Sequence, residues 1–73
     1  MEKSRQERAK RFGRTLQSLR RRAGLTQEKL SEKAGISTDY VQAIERGIRL
    51  PNVAIADDLR HAVGATWTEL MGK

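Results

Sequence analysis

The sequence predicts an all-α fold, a compact bundle of five short helices, and three observations carry that reading. Apolar residues recur at alternating steps of three and four, and no stretch alternates with period two as a half-buried strand would. Thr26, Ser37, Asn52 and Thr66 stand just before the periodic stretches, where short oxygen-bearing side chains cap helix N-termini. Gly24, Gly35, Gly47 and Gly64 stand just past them, where glycine ends helices. At 73 residues the chain is one domain with a thin core. It has no cysteine to brace that core with a disulfide or a thiolate metal site.

Residues 1–11 hold almost no apolar side chain and read as a basic N-terminal extension, either a frayed tail or added turns on helix 1. Residues 12–73 form the folded domain. Ala9, Phe12, Leu16, Leu19 and Ala23 make the apolar stripe of helix 1, Gly24 stops it, and Leu25 packs behind. Helix 2 starts at the Thr26 cap, with Gln27 and Glu28 in its first turn and Leu30 and Ala34 on its apolar face. After Gly35 and Ile36, Ser37 caps helix 3, where Val41 and Ile44 face inward. Pro51 excludes a continuous helix through residues 48–51. Helix 4 follows from Asn52, with Val53, Ala56, Leu59 and Val63 on one side. Thr66 and Glu69 form a capping box for a last short helix whose core pair is Leu70 and Met71.

Helices 2 and 3, joined by a short glycine-containing turn, have the signature of a DNA-binding helix-turn-helix. With Val41 and Ile44 inward, helix 3 turns Thr38, Asp39, Gln42 and Ala43 outward, and Tyr40 lies on the flank. A recognition helix over about 38–46 would enter the major groove, where each base pair shows a distinct donor and acceptor pattern. Thr38 can bond a base or touch a thymine methyl, Ala43 offers apolar contact, and Gln42 can pair with adenine. Asp39 has two readings, acceptance from a cytosine amino group or a partner for the helix dipole. Tyr40 is either a phosphate contact or an aromatic packed on helix 2.

Thr26-Gln27, Leu30, Ala34-Gly35-Ile36-Ser37, Val41, Ile44-Glu45-Arg46-Gly47 and Pro51 together resemble the Xre-type, or Cro/phage-repressor, regulators. The likeness runs from about residue 12 to residue 71, through Leu16, Leu19-Arg20, Gly24-Leu25, Leu59, Val63-Gly64 and Glu69-Leu70. It implies that the positions of Thr38, Asp39 and Ala43 read bases. It implies phosphate contacts at Gln27, Arg46 and Arg49, with Ser37, Tyr40 and Arg14 as further candidates. Arg20 and Glu45 are implied to form a partly buried structural ion pair. The sequence departs from the family at Ala56, Asp57 and Arg60, which thins what helix 4 gives the core. The Glu45–Arg49 run resembles the controller proteins of restriction–modification systems.

Charge supports a polyanionic partner. Residues 1–25 hold nine Lys/Arg against two Glu, a net +7, whereas residues 26–73 hold six Lys/Arg against seven Asp/Glu, a net −1. Beside a helix-turn-helix, the basic segment reads as a nucleic-acid surface rather than a solvated face. No Ser/His/Asp, Cys/His or metal-ligand constellation points to an enzyme, a metal or another cofactor, and His61 reads as a surface residue. No apolar run approaches a membrane span and no secretory signal opens the chain, so the expected location is cytoplasmic. The expected partner is double-stranded DNA, bound by a homodimer on a two-fold related operator. The dimer contact falls on Val53, Ile55 and Trp67, because the motif itself must face the groove. The alternative for Trp67 is packing against helix 1 or 4. RNA polymerase or a cognate protein could also be engaged, and the rival reading is a protein-interaction or antitoxin-type module.

Overall fold

A computed structural model describes residues 2–72, so Met1 and Lys73, the outer ends of the two expected segments, lie outside the described residues. The helices are α1 (Glu2–Arg22), α2 (Gln27–Ala34), α3 (Thr38–Glu45), α4 (Val53–Val63) and α5 (Trp67–Leu70). No strand occurs among the described residues. The all-α bundle is the expected one, with a correction to its first member. At 21 residues α1 is not short. Its length of ~31 Å at ~1.5 Å per residue nearly matches the 33 Å long axis of the molecule. Helix 1 continues through residues 4–11 with a single buried side chain there, Ala9.

Each start signal acts through a hydrogen bond that satisfies an otherwise orphaned helix N–H. Thr26 Oγ1 accepts from the Lys29 amide, Ser37 Oγ from Tyr40, and Asn52 Oδ1 from Ile55. At α5 the Thr66 hydroxyl accepts from the Glu69 amide, and the Glu69 carboxylate accepts from the Thr66 amide. The same carboxylate takes a 2.9 Å hydrogen bond from Arg22, clasping the end of α1 to α5. The Arg22 bond, followed by the Thr66 amide, lowers the Glu69 pKa from 4.5 to about 2.

The core is built from Phe12, Leu16 and Leu19 of α1, Leu30 of α2, Val41 and Ile44 of α3, Leu59 and Val63 of α4, and Leu70 of α5. Three residues of the expected apolar faces lie outside it, one of them Val53, 76% exposed at the first position of α4. Ala23 is exposed, because α1 ends at Arg22 and Ala23 lies in the turn that leads away. Met71 is 55% exposed, because α5 ends at Leu70 and Met71 is its C-cap.

One close approach sets how α1 meets α3. A Cβ at Gly13 would collide with the carbonyl oxygen of Ile44 and stand 2.7 Å from that of Glu45. Only glycine lets the backbone of α1 reach the C-terminal carbonyls of α3 at this distance. One turn earlier, a Cβ at Gly47 would stand 2.8 Å from Lys10 Cα, and Gly47 itself has φ 79°. Gly47 therefore both takes the left-handed turn that ends α3 and lies flat against α1.

Candidate nucleic-acid interface

The inner side of α3 is fixed by Val41, Ile44 and Glu45, all buried. Its outer side carries Asp39 and Gln42, both exposed, with Ala43 half-buried between them and the core. Asp39 lies in the first turn, where the positive end of the helix dipole favours a carboxylate. Arg46 caps the far end and is exposed, as are Arg49 and Arg14.

Thr38 is only partly exposed, and its hydroxyl is engaged. The Ser31 hydroxyl donates to the Glu28 carbonyl at 2.7 Å, so its single proton is spent there. The 3.0 Å contact between Ser31 and Thr38 is then donated by Thr38. Toward a ligand Thr38 keeps its methyl group and an accepting lone pair, a narrower offer than the sequence suggested. Ser37 Oγ is engaged as the cap of α3, although it stays exposed. Tyr40 is half-buried against the core, and the Arg49 guanidinium lies over its ring at 5.8 Å. Its ring is therefore packed against the core on one side and covered by a cation on the other.

Arg20 and Glu45 meet inside the molecule. Arg20 Nε donates to Glu45 Oε2 at 2.7 Å and Nη2 to Oε1 at 3.2 Å, with side chains 10% and 2% exposed. The third guanidinium nitrogen donates to the Leu25 carbonyl at 2.8 Å. Gln27 also donates to Glu45, at 2.9 Å, and Gln17 makes a longer contact of 3.5 Å. The carboxylate is thus neutralised and fully bonded, which is the condition for a buried charge to be tolerated. Gln27 was expected to meet phosphate, and here its amide is held at the first position of α2 by Glu45. Gln17, Gln27, Gln42, Glu45 and Arg46 line one polar cleft where α1, α2 and α3 converge. Neither Gln17 nor Gly13 is given a role by the sequence, whereas Lys10 belongs to the basic outer faces expected of helix 1. A glycine inside a helical pattern is a signal of close packing, and it could have drawn attention to Gly13.

The apolar residues assigned to self-association separate. Val53 is 76% and Trp67 40% exposed. Ile55 is half-buried and packed on the core, because it sits on the inner side of the first turn of α4. The Arg60 guanidinium covers one face of Trp67 at 5.0 Å. Val53 and Trp67 share an apolar groove with Phe12, Leu50 and Met71. The departures at Asp57 and Arg60 pair with each other at 2.8 Å, and Ala56 is buried in the core.

Comparison with known proteins agrees with this geometry. The model of a family described as a helix-turn-helix domain matches residues 11–70. The restriction-modification controller protein C.AhdI from Aeromonas hydrophila is 34% identical, with a TM-score of 0.81 over 85% of this chain and 94% of that one. The clp gene regulator ClgR from C. glutamicum is 27% identical, with a TM-score of 0.83 over 86% of this chain and 81% of that one. No curated protein matches. One of these is described as a controller protein and the other as a gene regulator.

Proposed function

Because the chain belongs to the helix-turn-helix family of DNA-binding transcription regulators, we propose that it binds double-stranded DNA sequence-specifically, with α3 in the major groove. One observation carries the reading. The outer side of α3 presents Asp39 and Gln42, polar side chains that make no side-chain bond within the described residues, while the opposite side is fully buried. A helix held this rigidly by one face offers the other to a groove of matching width. Asp39, Gln42, Ala43 and the methyl group of Thr38 read base edges. Gln27 with the N-terminus of α2, Ser37, Tyr40, Arg46, Arg49 and Arg14 meet phosphates, and these set register and affinity rather than sequence choice.

The protein acts as a homodimer on a two-fold related operator. Leu50, Val53, Trp67 and Met71 are exposed and line one groove away from α3, which supports self-association there. The 34% identity to C.AhdI supports a controller-type role in transcription.

Selection of bound duplexes from a random pool, followed by a salt titration on the selected site, tests the proposal. With ~4–8 phosphates neutralised per dimer, affinity should fall with a log–log slope of about −4 to −7. A flat salt response, or a pool that yields no consensus, would sink it. A protein that ignores DNA yet captures a partner protein would establish the interaction-module reading instead.

A further inference from the structure

We propose that the positive charge of α1 is divided between two edges, and that only one of them, the Lys10–Arg14 edge, binds the DNA backbone beside the recognition helix. The inference rests on the DNA-binding reading and adds a division of labour that net charge does not contain.

Lys10, Arg14, Gln17 and Arg21 recur at steps of four, three and four, so they line one edge of α1. Two contacts place that edge. The stem of Lys10 lies against Gly47, the residue that follows Arg46 at the exit of α3. Gln17, two turns along, reaches Glu45 and lines the cleft with Gln27, Gln42 and Arg46. Arg14 lies between those two anchors and is exposed. This edge therefore runs from the C-terminal end of α3 toward the N-terminus of α2, past the side chains that the DNA reading assigns to phosphate. Neither Lys10 nor Arg14 is in a salt bridge among the described residues.

Arg8 and Arg11 are the contrast. They too are exposed and basic, but they rim the apolar groove that holds Phe12, Val53 and Trp67. Glu7 lies in a shallow depression bordered by Arg8, Arg11 and also Arg14, which stands where the two edges meet. At physiological ionic strength, charges more than about 8 Å from a phosphate are largely screened. Position on the helix then decides which cations release counterions from DNA.

The test compares two variants of equal charge change, Lys10→Gln/Arg14→Gln and Arg8→Gln/Arg11→Gln, in the full chain on a long random-sequence duplex. For the first pair the salt slope should become shallower by about 0.9 for each phosphate no longer neutralised, roughly two per protomer. For the second pair it should stay at the wild-type value. Equal changes in both, or a larger change in the second, overturn the division. A wild type that shows no salt dependence overturns the DNA reading itself, a separate outcome. Because the Lys10 stem rests on Gly47, circular dichroism melts accompany each variant. If Lys10→Gln unfolds the chain, Arg14→Gln against Arg11→Gln repeats the comparison on exposed side chains alone.

Discussion

The chain contains the same arginine device twice, once inside and once at the surface. Arg20 near the end of α1 and Arg60 near the end of α4 each reach over the glycine turn that follows. Each donates through Nη1 to a carbonyl five residues on, Leu25 at 2.8 Å and Ala65 at 3.3 Å. Each also turns its guanidinium onto a carboxylate. Arg20 grips both oxygens of Glu45, a residue of another helix, with side chains 10% and 2% exposed. Arg60 grips one oxygen of Asp57, a turn back on its own helix, with side chains 21% and 42% exposed. The local chemistry is alike, but the surroundings are not. Water can replace either partner of the surface pair, whereas nothing replaces a partner of the buried one. The inner pair also ties α1 to α3, so its loss is felt on the surface proposed to meet DNA.

The largest effect should come from halving the buried pair. Arg20→Met or Glu45→Gln should each destabilise the fold by about 3–5 kcal/mol in denaturant melts, because each leaves a buried charge without its partner. Arg20→Met/Glu45→Leu should recover part of that stability. Unchanged midpoints in both single variants would make the two devices equivalent. Gly13→Ala should follow, at about 1–3 kcal/mol. The added methyl must push α1 away from the carbonyls of Ile44 and Glu45, as over-packing does elsewhere. A gain in stability, the usual result of Gly→Ala in a helix, would show that the helices separate freely. Asp57→Asn should cost under ~1 kcal/mol.

The smallest change is visible only in acid. The folded Glu69 pKa, about 2, lies below its ordinary 4.5. Its carboxylate therefore adds stability that is full above 4.5 and is lost as pH falls toward about 2. Glu69→Gln should flatten the acid limb of a stability–pH curve over that window and leave other limbs unchanged. An identical acid limb in the variant would mean that the Arg22 clasp contributes nothing to stability.

Much of this was legible from local chemistry. Thr26, Ser37, Asn52 and Thr66 announce helix starts because a cap needs only its own next few residues. The core stripe is legible for the same reason, through helical period. What escaped was set by contacts between distant parts of the chain. The choice between a frayed tail and added turns of α1 over residues 4–11 rests on a single foothold, Ala9, which the helical period reaches but cannot weigh. Gly13 reads as a weak point in a helix until the carbonyls of α3 lie against it. The direction of the Thr38 proton depends on what Ser31 does with its own. Pairing of Arg20 with Glu45 came from the family resemblance, since nothing local links the two residues. Residue type points Met71 into the core, and the end of α5 at Leu70 leaves it exposed, whereas Ile55, given to the dimer surface by its place at the helix 4–5 end, packs on the core.

Trp67 has a practical meaning of another kind. The chain has one tryptophan and one tyrosine. The indole stands 40% exposed in the apolar groove with an arginine across one face. The phenol belongs to α3, beneath Arg49. Excitation at the red edge of the protein's absorption therefore selects the indole alone, because the phenol absorbs only at shorter wavelengths. Burial of the groove shifts tryptophan emission toward the blue without any label. An event confined to the outer side of α3 leaves the indole's surroundings unchanged, so burial of the groove can be followed apart from it.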